Sequence, residues 1–397
     1  MRLRKRAGGL AFGAGVLFLL GTNVQAGWLF AICALLLGAV IAGVLMPGLA
    51  VRGIDAELRA PDEAEQGRDA YVDLRLVNRR RGVRWSLVAA DAHLAPAAVV
   101  VPTIRPGEAV ELTTRRAPLR RGLVQTTAVT IRSAAPFGVA EHRRTLPVRG
   151  TTLVLPKVFV LGPLPFVGAI GTVEHAMHSV PRRGNGPEYL GIREYRTGDS
   201  MRHVHWPSTA RHGVVMVREF EEERTRRLAI VVDTERDEGD AWTPLDRCCS
   251  AAASVASAAF AHGHGARLVA AGADGVIDVL LRADEGDVLR WLASLQPSGV
   301  PVGYVTDGLG VAELRGTETV VVVAAAWKSA DAFTAVGRLA ATVPRVVVIG
   351  VGTGAPAGVD GRDDELDAFV ARSSAAGVET YAWRNGEDLA AVLDEVR

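Results

Sequence analysis

Between Arg6 and Arg52 this chain carries no charged side chain, and no other feature restricts its fold as severely. Arg2, Arg4, Lys5 and Arg6 precede an apolar run from Ala7 to Gly21; Thr22, Asn23 and Gln25 interrupt it, and a second apolar run extends from Ala26 to Val51. A hydrocarbon core takes about 20 helical residues to cross, and a charge at its centre costs several kcal/mol, so two such runs read as a transmembrane hairpin over residues 1–53. Cations flank both outer ends, at Arg2–Arg6 and at Arg52 and Arg59. The positive-inside rule therefore predicts that both ends, and the bulk of the chain, face the cytoplasm from the inner membrane. The competing reading is a secretory signal cleaved near Val24-Gln25-Ala26, removing residues 1–26. The second run would still stop transfer and leave the remainder inside.

Past the hairpin the hydrophobic period changes. Tyr71-Val72-Asp73-Leu74-Arg75-Leu76-Val77 alternates as a half-buried strand does, and the segments around Ala109–Leu112, Val129–Arg132 and Thr152–Leu155 have the same character. Turn residues such as Arg105-Pro106-Gly107-Glu108 and Arg121-Gly122 punctuate them. Short strands at this spacing predict a small all-β sandwich over 54–156, serving as a spacer.

From Arg227 apolar strands alternate with helices. The pattern predicts strands at 228–233, 267–271, 276–281, 319–325, 345–351 and 378–383, and helices near 244–261, 285–295, 330–342, 363–376 and 386–396. This is an α/β domain with a mostly parallel sheet. Gly272-Ala273-Asp274-Gly275 is a tight turn, so the third strand is expected to run antiparallel at an edge. That arrangement fits a von Willebrand factor A-like domain over 227–397 better than a plain dinucleotide-binding sheet.

Ligands of open α/β sheets bind beyond the carboxyl ends of the strands, where Asp233 stands. A von Willebrand A metal site needs Asp-x-Ser-x-Ser there, but the chain reads Asp233-Thr234-Glu235-Arg236-Asp237, and the strand ending at Ala325 continues Ala326-Trp327-Lys328. Thr306-Asp307-Gly308 is read as a loop. No metal is expected: Asp233 is a vestigial candidate whose carboxylate caps local backbone amides. His262 and His264 read as a helix C-terminal cap. Near-balanced charge, +1 overall, gives no reason to expect nucleic acid, and three cysteines make no disulfide framework. No phosphate-cradling loop, serine elbow or His-Glu-x-x-His helix occurs, so no cofactor or catalytic residue is assigned.

Residues 157–226 are rich in glycine, proline and arginine, and hold the densest constellation. His203 and His205, with Asp199 nearby, have the spacing of metal ligands on one strand face. Arg193, Arg196, Arg202 and Arg211 suit anionic partners, yet Glu188, Glu194, Asp199 and Glu219 stand ready to pair with them. A buried ion-pair network docking this segment onto the sheet is the expected use.

Arg193-Glu194-Tyr195-Arg196-Thr197-Gly198-Asp199, followed by Arg202, Trp206 and Ala210-Arg211, resembles the signature of the family of domain of unknown function 58 (DUF58). Ala134-Ala135-Pro136-Phe137-Gly138 is similar to that family's Pro-Phe-Gly turn. The resemblance implies the same hairpin, sandwich and von Willebrand A-like sheet, and partnership with MoxR-type AAA+ ATPases and other membrane proteins, some transglutaminase-like. It points to a non-enzymatic membrane adaptor that assists assembly or activation of other proteins. The matching residues Arg193, Tyr195, Gly198, Asp199, Arg202, Trp206, Ala210 and Arg211 are then the partner-binding candidates. The rival is a metal-dependent hydrolase using Asp199, His203 and His205, or Asp233. A cell-wall-linked surface protein would require the opposite topology.

Overall fold

The computed structural model describes residues 2–3, 5–90, 98–118, 120–167, 183–195, 204–221, 227–238, 242–280, 284–308, 317–325, 336–352 and 364–394. Two compact units result. The first comprises Met1–Lys157 together with Gly239–Asp246 and Leu289–Leu295; the second comprises Val158–Glu238, Arg247–Val288 and Gln296–Arg397.

The first unit begins with β1 (Arg2–Leu3), α1 (Lys5–Val24) and α2 (Gly27–Ala50). Ala7–Val24 and Gly27–Ala50 are both long and apolar enough to cross a membrane. Their outward faces carry Phe12, Leu19, Leu35 and Leu45, each more than 60 % exposed, an apolar surface that water does not tolerate over such a length. The two helices meet where Gly21 lets Leu29 and Phe30 approach: a methyl group there would stand 3.3 Å from both.

The strands follow as β2 (Ile54–Arg59), β3 (Glu63–Glu65), β4 (Ala70–Asn78), β5 (Arg84–Ala90), β6 (Ala98–Ile104), β7 (Ala109–Arg116), β8 (Gly122–Ser133) and β9 (Ala140–Leu155). One sheet has the order β1-β9-β8-β5-β6 with β3 added alongside β9, and a second has the order β2-β4-β7. Alternation along β4 buries Val72, Leu74 and Leu76 while Tyr71 stays exposed. Those residues join Leu87, Val101, Ile131, Leu146 and Val148 of the larger sheet in one core cluster. Ala50 and Val51 at the end of α2 belong to the same cluster, so the apolar helix runs directly into the β core.

A buried charge completes this unit. The Arg121 side chain is 4 % exposed and its Nε lies 3.4 Å from Asp246 Oδ1, itself 2 % exposed. Arg121 Nη1 donates to the carbonyls of Leu292 (2.9 Å) and Leu295 (2.8 Å), and Gln66 Nε2 donates to Asp246 Oδ2 at 3.0 Å. A guanidinium taken out of water needs this many acceptors, because a buried charge without them costs several kcal/mol.

In the second unit β10 (Arg183–Glu194) pairs antiparallel with β11 (Met216–Glu221), and α3 (Trp206–His212) lies between them in the chain. Then come β12 (Arg227–Val232), α4 (Pro244–Ala261), β13 (Gly265–Ala271), β14 (Ile277–Leu280), α5 (Glu285–Ser294), α6 (Val302–Gly308), β15 (Thr317–Ala325), β16 (Arg345–Val351), α7 (Asp364–Ala375), β17 (Glu379–Trp383) and α8 (Leu389–Asp394). The sheet order is β14-β13-β12-β15-β16-β17. Every neighbouring pair is parallel except β13 with β14, so the expected edge hairpin is present. Central strands carry unbroken runs such as Val320-Val321-Val322-Val323, all buried, as strands covered on both faces must. Helix α7 approaches β16 at Gly350, where a methyl group would meet Leu366 at 2.9 Å and Phe369 at 3.0 Å.

One local reading is corrected. Thr306-Asp307-Gly308, read from sequence as a loop, ends helix α6. Its buried Val302, Val305 and Thr306 recur at the helical i, i+3, i+4 spacing and seat the helix in the sheet core.

Candidate functional site

Strand β12 is apolar from Leu228 to Val232 and delivers Asp233, 3 % exposed, to the carboxyl edge of the sheet. There the chain must turn, and the carboxylate organises the turn. Oδ1 accepts the Glu235 backbone N–H at 2.9 Å, Oδ2 accepts that of Ala325 at 3.1 Å, and the Asp233 N–H donates to the Val323 carbonyl at 2.9 Å. Thr234, next in the chain, donates its hydroxyl to the Ala271 carbonyl at 2.8 Å and lies 3.0 Å from Ser298 Oγ. The Ser298 and Gly299 amides return bonds to the Thr234 and Glu235 carbonyls at 2.7 and 3.1 Å. The ends of β12, β13 and β15 are thereby stitched to one another and to the loop before α6. A divalent ion at Asp233 would have to displace backbone amides that charge-assisted hydrogen bonds hold. Glu235 instead lies against the Arg236 guanidinium, 3.2 Å away.

The ends of β16 and β17 are closed by a residue that sequence reasoning passed over. Arg247, at the end of the first turn of α4, is 3 % exposed. Its Nη1 donates to the Gly352 carbonyl at 2.7 Å, its Nη2 to those of Trp383 and Arg384 at 2.8 Å each, and its guanidinium lies 4.4 Å from the Trp383 ring centroid. The available signal was an arginine in the otherwise apolar run Leu245 to Ala253, interrupted nearby only by Asp246 and Ser250. Beyond α4, Gly263 takes φ +76°, the His262 Nδ1–H donates to the Ala258 carbonyl (2.8 Å), and the His264 amide donates to that of Ala259 at 2.9 Å, a left-handed helix cap.

Among the described residues no three His, Cys, Asp or Glu side chains converge as a metal would require. Asp199 and His203 lie outside the described residues. His205 caps α3: its Nδ1 is 2.8 Å from Ser208 Oγ, and its carbonyl accepts the Thr209 hydroxyl at 3.1 Å.

The signature segment splits in the same way. Gly198, Asp199 and Arg202 lie outside the described residues, and Arg193 is described only as a β10 residue whose backbone pairs with Val217. Tyr195 N–H donates to the Val215 carbonyl, and His205 N–H to that of Met216, both at 2.8 Å, so Tyr195 and the start of α3 are held at the same end of the β10–β11 ribbon. Thr209 Oγ1 accepts the Met216 amide at 3.0 Å, and Gly213 ends the helix in the left-handed region at φ +72°. No residue of α3 is buried. Trp206 is 64 % exposed, and Tyr195, Val214 and Val215 are exposed beside it. Ala210, Arg211 and Glu194 are exposed as well. The expectation of a buried ion-pair network is therefore corrected for Arg211 and Glu194 alone: Arg211 lies on a helix with no buried residue, and Glu194 is exposed at the end of β10. The described part of the ribbon thus carries exposed aromatic and branched side chains, with Arg211 and Glu194 exposed as well.

Residues 191–341 match the model of a family described as "Protein of unknown function DUF58", which supports the resemblance read from the signature. No curated protein matches the chain. Solved structures with partial likeness include the CARDB domain of a Pyrococcus furiosus protein in complex with di-metal ions, at 13 % identity over 24 % of this chain and 86 % of that one, with a TM-score of 0.17. A GH20 exo-β-N-acetylglucosaminidase from Vibrio harveyi, in complex with N-acetylglucosamine, aligns at 9 % identity over 83 % of this chain and 76 % of that one, with a TM-score of 0.24. Likeness at that level carries neither fold nor function to this chain.

Proposed function

We propose that the protein is a non-enzymatic adaptor, anchored in the inner membrane by α1 and α2, whose cytoplasmic part presents the β10–β11 ribbon and α3 to a MoxR-type AAA+ ATPase or to that ATPase's client. The observation that carries this reading is Trp206. A tryptophan at 64 % exposure, on a helix with no buried residue, inside the stretch that matches the family model, is the profile of a binding anchor. Tyr195, Ala210 and Arg211 are exposed with it, and the signature residues Arg193, Gly198, Asp199 and Arg202 remain partner-binding candidates by sequence. The antiparallel edge strand β14 beside the parallel strands supports a von Willebrand A-like sheet, and the single core shared by two β sheets supports a sandwich as the spacer. The stitched carboxyl edge around Asp233 argues for a scaffold over a catalyst.

The test is capture of partners from membranes by the full-length chain under nucleotide-trapping conditions. An AAA+ ATPase enriched with the parent chain and lost with Trp206→Ala is the expected result; its absence from both overturns the reading. A reporter fused to the C-terminus is expected to be active only on the cytoplasmic side. Stoichiometric divalent metal in the purified chain, lost on Asp233→Ala, would favour the metal-dependent hydrolase instead.

A further inference from the structure

The turn between β8 and β9 lies against α2 in the first unit, and glycines mark the contact. A methyl group on Gly43 would stand 2.7 Å from Val139 Cγ2, and one on Gly48 would stand 3.2 Å from the His142 ring. Only bare backbone lets the start of β9 and the turn before it climb along the last two turns of the helix. Gly43 precedes Ala50 by seven residues, about 10 Å at the helical rise. The rest of α2, Gly27 to Gly43, is then about 25 Å long. Helix α1 gives an independent measure: its charge-free 18 residues, Ala7–Val24, span about 27 Å. Both lengths approach the roughly 30 Å of a hydrocarbon core, so both helices set the bilayer boundary near the level of Gly43 and Val139. A third observation agrees. Backbone pairing of Arg2 with Glu141 and Leu3 with Ala140 brings the chain start, where the charges of α1 lie, to the same end of β9.

At that level the turn displays Phe137, 48 % exposed, two residues from fully buried Val139. The turn is closed by the Gly138 amide on the Ala134 carbonyl at 2.8 Å. Behind it Arg132 and Arg143 face each other across the two strands, with side chains 39 % and 48 % exposed and one carboxylate, that of Glu141, between them. Two guanidinium groups share one acid there. An aromatic ring at a membrane boundary, with cations on its aqueous side, matches the chemistry of the headgroup layer.

We infer that the Ala134–Gly138 turn is a third membrane contact, with Phe137 seated between headgroups and acyl chains and Arg132 and Arg143 within reach of lipid phosphates. This rests on the membrane anchoring proposed above, and the experiment separates the two. The full chain is placed in vesicles of phosphatidylethanolamine and phosphatidylglycerol, with a nitroxide on Phe137→Cys, Leu35→Cys or Tyr71→Cys, and collision with oxygen and with a water-soluble nickel chelate is measured. Cys33, Cys248 and Cys249 are buried, and the labelled parent chain supplies the background. Leu35 is exposed on α2, and Tyr71 lies exposed at the end of β4 remote from the helices. The expected result is an oxygen-to-nickel ratio at 137 at least about threefold above that at 71 and below that at 35. A ratio at 137 equal to that at 71, with 35 in hydrocarbon, overturns the inference alone; an aqueous reading at 35 overturns the anchoring itself. Phe137→Trp covers the case of a misfolded cysteine variant. Brominated lipid is expected to quench its added emission, and unquenched emission overturns the inference.

Discussion

Asp233 and Trp206 stand at opposite extremes of one unit. Asp233 is the residue whose position, at the end of the first strand of an α/β sheet, most suggests chemistry, and it is almost wholly buried with both carboxylate oxygens on backbone amides. Trp206 belongs to a short helix that buries nothing, yet it sits in the most distinctive run of the sequence. The difference separates two reasons for a polar or aromatic residue to be where it is. At the sheet edge, side chains are consumed in holding strand ends together. On the ribbon, Tyr195, Trp206, Val214 and Val215 are left exposed.

That contrast breaks most readily at Arg247. Replacing it with alanine takes a charged donor from the Gly352, Trp383 and Arg384 carbonyls at once, leaving that of Trp383 with only the Gly352 amide, and the thermal unfolding midpoint of the detergent-solubilised chain should fall by the equivalent of about 3 kcal/mol or more. A midpoint unchanged by Arg247→Ala would mean that the strand ends are not held as described. Asp233→Asn keeps the shape but exchanges one acceptor oxygen for a donor that meets an amide. A loss of about 2 kcal/mol is expected, with partner capture retained; lost capture in a folded variant would return Asp233 to the list of functional residues.

Tyr381 gives a smaller, pH-dependent effect. Its hydroxyl donates to Glu379 Oε1 at 2.6 Å, while Arg345 grips Oε2 of the same carboxylate. Burial, first, and then the hydrogen bond and charge of Glu379 push the phenol well above its ordinary range, with Arg345 opposing. A folded-state value raised above the unfolded one means that this stability is fully present below about pH 10 and drains away as pH rises further. Tyr381→Phe should cost about 1 kcal/mol at neutral pH and flatten the alkaline decline in stability; equal alkaline slopes would refute the assignment. Smallest of all in stability is Trp206→Ala, within about 0.5 kcal/mol, although capture of the partner should weaken on the order of tenfold or more. Should that variant unfold, the ribbon is structural and the contrast disappears.

The legible parts of this molecule were those written in local periodicity. A charge-free run marks α1 and α2, strict alternation marks β4, and the Gly272–Gly275 turn announces the antiparallel edge β14. Thr306–Gly308 misled because its Thr-Asp-Gly composition signals a turn, whereas burial of Val302 and Val305 against the sheet decides for helix. Arg247 and Arg121 were illegible for another reason. Nothing beside an arginine in sequence tells that carbonyls more than a hundred residues away will receive it. The signature ribbon was found as a motif, but the burial expected of its charges does not hold at Arg211 and Glu194, since charge composition alone does not tell which members of a network lie inward.

The guanidinium of Arg121 has a consequence for how the chain is made. Its acceptors, Asp246 and the carbonyls of Leu292 and Leu295, are translated long after the strands that surround it. The β region cannot reach its final packing while it is the newest part emerging from the ribosome, and must wait until Leu295 is free. During that interval a solvated cation occupies what will become interior, which makes the half-synthesised chain a natural client for chaperones and proteases.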